Sequence, residues 1–429
     1  MNPLSIAFHH LGCKVNFAES SFLSRQFRQN GYDIKGFHEI ADIYVISTCV
    51  VTAVAEKKCR AAIRQAHKLN PDARIAVIGC FPELKPKEIS GMDGVCLVLG
   101  HTAKFNLFNE IEKIVHPSAE KKEDPPFEKN DFIGSWSMGD RTRSFLKIQD
   151  GCDYYCSYCA IPMARGHSRS DTIANVVKNA KEIASLGIHE IVLTGVNIGD
   201  FGKHNGQTLQ ELIEALDNTD ELPRIRISSI EPDLLTDPII ERIAVSPHFM
   251  PHFHIPLQAG CDNILRAMKR RYDTGLYRSR IEKIRALLPL ACIAADVITG
   301  FPGETDEDFK DEVDFLKSID LSYMHVFSYS RRENTLASRM NEFFVNDKVK
   351  KDRSDILHQL SNQKKLDFYL RNKGTCSRVL FESDNSDGFI HGFTENYVKV
   401  KTKFDPGLVN QIKEVRLETI ADDNVFEIK

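Results

Sequence analysis

The sequence predicts an α/β protein in three parts: a parallel α/β domain, a central partial (β/α)6 barrel and a small β-barrel. Three observations predict it. Short apolar runs alternate with helical periodicity through residue 369, polar and glycine residues gather where the apolar runs end, and short alternating strands without helices follow. At 429 residues the chain has room for about three domains of ~150 residues. With 42% hydrophobic and 27% charged residues it belongs to the ordinary globular class. A net charge of −4 means that any RNA-binding surface must be a local patch. No apolar run approaches the ~20 residues that span a bilayer, and the first strand pattern follows Met1-Asn2-Pro3 directly. The expectation is a cytoplasmic protein without a membrane partner. In a reducing compartment its eleven cysteines serve as ligands, catalysts or core fillers.

Residues 1–118 carry strand patterns at 5–9, 42–47, 74–78 and 95–99, with helical patterns at 19–29 and 53–67 between them. This βαβ rhythm implies a parallel sheet covered by helices. Cys13, Cys49 and Cys80 each fall just past a strand end. Strand carboxyl ends share one edge of such a sheet, so the three thiols are expected to converge as a three-cysteine site. Gly12 and Gly79 beside them allow close backbone approach. Cys59 shares a helical face with Ala55, Ala62, Ile63 and Ala66, and Cys96 lies in an apolar run; both read as core residues. Residues 119–138 form a charged, proline-containing linker without periodicity.

Residues 139–369 hold six strand patterns, at 145–149, 190–194, 224–229, 253–257, 293–298 and 323–327. Helical patterns lie between them, among others at 173–186, 209–216 and 307–317. Six units are too few for a closed eight-stranded barrel, which leaves a curved, partly open one. After the first strand comes Gly151-Cys152-Asp153-Tyr154-Tyr155-Cys156-Ser157-Tyr158-Cys159. Three thiolates on one loop do not complete a tetrahedral zinc site, and they suit a cubane iron–sulfur cluster with one iron left open. Three structural thiols, or zinc completed by a distant ligand such as His167, are the alternatives. At the other strand ends stand Thr194, Asn197, Ser229, Glu231, Gln258 and Asp296, with glycines among them. Together they would line a cavity for a polar small molecule beside the cysteine loop.

Residues 370–429 follow a charged helical pattern at 348–369 and read as a small all-β barrel, with strands at 377–382, 388–391, 397–402 and 414–418. Lys399, Lys401 and Lys403 alternate with Val398, Val400 and Thr402 and so share one strand face. That face is an RNA-binding candidate or an ordinary solvated surface. Nine Lys and Arg against ten Asp and Glu from residue 370 onward leave room only for a local patch. Arg141, Arg143, Arg165, Arg169, Lys269, Arg270 and Arg271 are further candidates around the barrel mouth. Cys261, Cys292 and Cys376 have no partners at ligand spacing and read as structural.

Cys152-x-x-x-Cys156-x-x-Cys159 resembles the signature of radical S-adenosylmethionine (radical SAM) enzymes. Leu11-Gly12-Cys13-Lys14-Val15-Asn16, Ser47-Thr48-Cys49 and Gly79-Cys80 resemble the methylthiotransferase amino-terminal domain, and residues 370–429 resemble the TRAM RNA-binding module. The likeness runs over nearly the whole chain. It includes Arg165-Gly166-His167-Ser168-Arg169, His254-Ile255-Pro256-Leu257-Gln258 and Met268-Lys269-Arg270-Arg271-Tyr272. Residues 11–16 and Gly392-Phe393-Thr394-Glu395-Asn396-Tyr397-Val398-Lys399-Val400 look most like the branch that methylthiolates N6-threonylcarbamoyladenosine 37 of tRNA. Ser47, the Phe81-Pro82-Glu83 stretch, and Asn334 and Leu336 around Thr335 depart from the family's usual pattern without removing a ligand.

The resemblance implies two [4Fe–4S] clusters, one held by Cys152, Cys156 and Cys159 and an auxiliary one by Cys13, Cys49 and Cys80. It also implies S-adenosylmethionine as cosubstrate, first as methyl donor to the inserted sulfur and then as radical source. Thr194, Asn197, Ser229, Glu231, Gln258 and Asp296 are the candidate contacts to it. The implied partners are the tRNA anticodon loop, an external electron donor and a sulfur source. Alternatives are methylthiolation of isopentenyladenosine 37 or of a ribosomal-protein aspartate and, from a different class, a non-catalytic zinc and RNA-binding protein.

Overall fold

A computed structural model describes residues 3–50, 52–117, 131–138, 142–421 and 423–428. Arg141 and most of the linker expected at 119–138 lie outside the described residues. No helix among those described is long and apolar enough to cross a membrane.

The amino-terminal sheet contains β1 (Ser5–His10), β2 (Asp33–Lys35), β3 (Ile43–Thr48), β4 (Arg74–Gly79) and β5 (Val95–Leu99), all parallel in the order β2-β1-β3-β4-β5. Strands β3 and β4 are apolar almost throughout because both of their faces are covered. Helix α1 (Lys14–Gln29) puts Leu23 and Phe27 against Ile43, Val45 and Ile78, while α2 (Ala53–Leu69) puts Cys59, Ile63 and Ala66 against Tyr44, Ile46 and Val77.

Three expectations are corrected here. Helix α1 begins at Lys14, directly after Cys13, rather than at residue 19. The added turn, residues 14–18, buries polar Asn16 among Val15, Phe17 and Ala18, so it lacks a clean apolar period. Cys96 is exposed, because β5 is an edge strand with one open face. The last stretch of the expected linker is structured: Ser135–Trp136 pairs antiparallel with the first barrel strand, and Arg25 stacks over Trp136 at 4.2 Å.

The six expected barrel strands are all present and parallel. Ser144–Lys147, Glu190–Thr194 and Arg224–Ile227 pair in sequence, as do His252–His254, Cys292–Thr299 and Tyr323–Ser328. An isolated bridge from Ile225 to Phe249 joins the two halves. Among the described residues no ladder closes the last strand onto the first, which leaves the barrel open. Outward residues Phe253, Ala295, Val297 and Met324 pack in one core with Tyr277, Ile281 and Leu316 of the covering helices. Alternation then turns His254, Asp296 and His325 to the concave inner face. Helix α1 reaches that face, where Phe17 and Ala18 pack on Phe145 and Val192.

The long helix Asp347–Asn372 crosses the last barrel strand, with Ser361 Oγ bonded to both the amide and the carbonyl of Met324. Its Phe368 and Tyr369 then join Val379, Ile390, Val400 and Phe426 in the core of a curled six-stranded sheet. Arg226 ties that sheet to the barrel by donating to the carbonyls of Thr394 and Glu395.

Candidate active site

The 152–159 loop is shaped mainly by its own backbone. Gly151 has φ +68°, and a Cβ there would stand 1.9 Å from the His167 carbonyl oxygen, so only glycine fits. Next along, the Cys152 amide donates to the Gly166 carbonyl at 3.1 Å. Each sulfur accepts one N–H: Cys152 Sγ from the Tyr154 amide at 3.4 Å, Cys159 Sγ from the Ile161 amide at 3.4 Å, and Cys156 Sγ from Arg270 Nη1 at 3.0 Å. Burial pushes the Cys152 and Cys159 thiols up to about 12. The bare loop therefore holds protons at neutral pH and releases them only to a metal centre.

The donor set fits an iron–sulfur cluster better than zinc. Among the described residues neither cysteine trio has its three sulfurs within 4.8 Å of one another. Three thiolates on one zinc ion at ~2.3 Å would stand about 3.8 Å apart. His167, the alternative fourth ligand, is exposed, with Nδ1 3.0 Å from Asp153 Oδ1.

The second trio is assembled by topology. Cys13, Cys49 and Cys80 follow β1, β3 and β4, three neighbouring strands, and β1/β3 is the point where strand order reverses. The loops interlock closely. Gly12, at φ +122°, lies so near Cys49 that an added Cβ would stand 2.6 Å from the Cys49 Cβ. Asn16 Nδ2 donates to the carbonyls of Thr48 at 2.8 Å and Leu11 at 3.3 Å. Thr48 Oγ1 donates to the Ile78 carbonyl at 2.8 Å and accepts from the Phe81 amide. Cys49 and Cys80 are buried, while Cys13 is exposed. Burial raises the Cys80 thiol, and the buried charges of Arg165 and Lys104 beside it act against that shift.

A cavity of about 230 Å³ is lined by Thr52, Tyr158, Gln258, Asp296, Tyr329 and Arg332. Thr52 caps α2 three residues after Cys49, Tyr158 precedes Cys159 in the cysteine loop, and the rest belong to the barrel. Arg332 spans the same gap, bonding Glu56 Oε1 at 2.7 Å.

The expected S-adenosylmethionine contacts fall into four groups. Gln258 and Asp296 line the cavity, and Gln258 adopts φ +71°, a conformation that aims its backbone at neighbouring β-residues Asp296 and Ile298. Ser229 and Asp296 meet through His254, at 2.7 Å to Nδ1 and 3.0 Å to Nε2. Glu231 is paired with Arg270, which also reaches Cys156; burial raises the Glu231 carboxyl to about 7. Thr194 and Asn197 are buried, and Asn197 Nδ2 is spent on Asp200 at 3.1 Å. They hold the turn after the second strand.

Sequence reasoning missed His254, His325 and Lys14. His325 joins His254 and Asp296 in a group whose ligand atoms lie within 4.8 Å of one another. Lys14 occupies the face of α1 that carries Phe17 and Ala18, which pack on the barrel's inner wall. It is solvent-accessible yet surrounded: burial and the charges of Arg143 and Arg226 lower its pKa, while Asp296 opposes them. Period-2 alternation of the barrel strands was the available signal for the histidines. For Lys14 there was none, since its position depends on how two domains dock.

Of the arginines expected at the barrel mouth, Arg143, Arg165, Arg169 and Arg270 have side chains at most 11% exposed and paired with carboxylates. Desolvated and neutralised, they are not available to phosphates. Lys269 and Arg271 are exposed, with Arg271 stacked over Tyr154 at 3.8 Å. In the carboxy-terminal sheet Val400 is buried and the three lysines point outward, Lys401 paired with Asp423 at 2.7 Å.

Residues 146–316 match the radical SAM superfamily, and residues 5–100 match a family described as uncharacterized protein family UPF0004. The chain is 35% identical to threonylcarbamoyladenosine tRNA methylthiotransferase MtaB of Bacillus subtilis, over 96% of this chain and 93% of that protein. It is 31% identical to the tRNA-2-methylthio-N(6)-dimethylallyladenosine synthase of Pelotomaculum thermopropionicum, over 94% and 92%. Among solved structures it resembles the radical S-adenosylmethionine methyltransferase TsrM of Kitasatospora setae, with a TM-score of 0.57 at 14% identity over 79% of this chain and 77% of that one. At that identity the likeness speaks for the fold alone.

Proposed function

This chain belongs to the radical SAM methylthiotransferase family, and we propose that it inserts a methylthio group at C2 of N6-threonylcarbamoyladenosine 37 in tRNA. Cys152, Cys156 and Cys159 of the cysteine loop would hold the [4Fe–4S] cluster of the family, and Cys13, Cys49 and Cys80 would hold a second. When bound, the first cluster supplies the low-potential electron that cleaves S-adenosylmethionine reductively, and the second carries the sulfur. The observation that supports this reading is a cavity lined both by Thr52, three residues after Cys49, and by Tyr158, next to Cys159, since both the radical source and the sulfur must reach one adenine.

The chain's own residues divide the remaining work. Arg270 holds Cys156 Sγ and Glu231 together at the mouth of the loop. Gln258, Asp296, Ser229 and Glu231 are the contacts proposed for S-adenosylmethionine. Tyr158 and Thr52 wall the cavity and limit water beside the reacting carbon. Lys14, His254, His325 and Asp296 make the inner face polar and rich in hydrogen-bonding groups. Such a lining suits the polar threonylcarbamoyl substituent better than an apolar dimethylallyl group. The near-full-length likeness to threonylcarbamoyladenosine methylthiotransferases supports the same branch.

The carboxy-terminal sheet serves as the TRAM module, with Lys399 and Lys403 joining Lys269 and Arg271 as phosphate contacts. Binding through so few cations falls steeply with salt. An external reductant and sulfur source complete the reaction in the cytoplasm.

Mass spectrometry of tRNA nucleosides tests the function. Deletion of this protein should remove 2-methylthio-N6-threonylcarbamoyladenosine and leave its unthiolated precursor. Persistence of the methylthio nucleoside, with no second enzyme making it, rejects the assignment.

A further inference from the structure

A buried ionic network joins the amino-terminal domain to the barrel, with members beside residues of both cysteine trios. Glu19 accepts from Lys104 at 2.6 Å and Lys147 at 2.7 Å. Asp150 accepts from Lys147 at 2.7 Å, Arg165 at 2.8 Å and Arg169 at 3.2 Å. Glu19, His101 and Asp150 bring ligand atoms together as a metal site would, but four cations already surround them. Burial and Lys104 push the His101 imidazole down to about 3, so it is neutral. Four cations therefore face two carboxylates, and the surplus positive charge lies beside Cys80 and Cys13.

Through this network runs one continuous chain of hydrogen bonds. Asn16 Nδ2 holds the carbonyls of Leu11 and Thr48, which flank Cys13 and Cys49. Asn16 Oδ1 accepts from Arg165 Nη2 at 2.5 Å. Arg165 Nη1 donates to Asp150 Oδ1 at 2.8 Å, and the same oxygen accepts from the Gly151 amide at 2.8 Å, one residue before Cys152. Gly166, next to Arg165, receives the Cys152 amide. One guanidinium thus connects the loops of both trios.

We infer that Arg165 is a positioning residue that sets the distance and orientation between the two cluster sites, through Asn16 on one side and Asp150 on the other. Adhesion between the domains does not need it. Phe17 on Phe145 and Ala164 among Cys80 and Phe81 already supply apolar contact. Burying this many charges is an expensive way to gain affinity, and its return is geometry. A planar fork satisfies two acceptors in fixed directions, which an ammonium cannot do. The reaction needs such a fixed register, since a misplacement of ~1 Å costs about a hundredfold in rate.

The inference rests on the two-cluster reading for what the trios hold. Its test compares reconstituted wild type with Arg165→Lys and Arg165→Met. Three quantities are read: iron per chain, the magnetic interaction between the two reduced clusters by electron paramagnetic resonance, and 5′-deoxyadenosine formed per methylthiolated nucleoside. Wild type should carry about eight irons and show coupled spectra. Arg165→Lys, which keeps the charge and loses the fork, should keep the iron, alter the coupling and raise abortive cleavage roughly tenfold or more. Should Arg165→Met fail to fold, Arg165→Lys still decides the matter. Full iron with wild-type coupling and wild-type stoichiometry in Arg165→Lys would overturn the positioning role alone. About four irons in wild type, without coupling, would overturn the two-cluster reading and this inference with it.

Discussion

The two cysteine trios are assembled by opposite routes. Cys152, Cys156 and Cys159 sit within eight residues, and local amides supply two of the three donors to their sulfurs. Cys13, Cys49 and Cys80 come from three strand ends and depend on Gly12, Asn16 and Thr48 to interlock the loops. A contiguous site carries its geometry in its own turn. A dispersed site borrows geometry from a sheet and inherits every weakness of that sheet. The first should therefore be tolerant of distant mutations and the second sensitive to them.

The largest effect separates the trios outright. Cys152→Ala should abolish both 5′-deoxyadenosine formation and methylthiolation. Cys13→Ala should abolish methylthiolation while reductive cleavage of S-adenosylmethionine continues, as measured by chromatography of the nucleoside products. Loss of both activities in Cys13→Ala would contradict the division of labour.

Glycine substitutions should break each trio selectively. Gly12→Ala forces a left-handed φ onto a residue with a Cβ and drives that Cβ against Cys49, at a cost of about 1–3 kcal/mol in backbone strain before the clash. Gly151→Ala does the same against the His167 carbonyl. Iron analysis should find about half the wild-type content in each, the surviving cluster being the other one. Equal loss of both clusters from either variant would refute the independence of the two sites.

A smaller effect is expected at the shared cavity. Lys14→Met should weaken binding of an anticodon stem-loop carrying threonylcarbamoyladenosine by roughly tenfold, about 1.4 kcal/mol, with little change for an unmodified loop. Titration of the cluster-free protein with both loops measures this, and an equal loss for both would point to a general phosphate contact. The smallest change is at Arg270. Arg270→Met removes an N–H donor from Cys156 Sγ, and a lost donor to sulfur should make the first cluster's reduction potential more negative while leaving the second unchanged. Redox titration followed by electron paramagnetic resonance would show the shift.

The same contrast marks how much was legible beforehand. Spacing alone exposed Cys152, Cys156 and Cys159, because their relation is local. Strand ends exposed Cys13, Cys49 and Cys80 once a parallel sheet was assumed, because β1, β3 and β4 became neighbours. Alternating apolar runs placed all six barrel strands to within a few residues. Reasoning from pattern failed where polar residues are buried. The first turn of α1 looked unlike a helix because Asn16 is buried against Arg165 rather than in an apolar core. Arg165 and Arg270 looked like phosphate contacts because charge in a sequence reads as surface.

The amino-acid sequence by itself determined which thiols share one loop and which follow strand ends, and its likeness to a known family implied the reaction class. The groupings are properties of spacing and periodicity, which the chain carries locally. Only the tertiary structure decided that Lys14 faces the inner wall of the barrel, that four cations and two carboxylates are sealed between the amino-terminal domain and the barrel, and that one guanidinium connects Asn16 to Asp150. Residues 134 apart along the chain, Asn16 and Asp150, share that guanidinium because two domains dock there, and the burial that docking imposes selects paired ions over solvated ones.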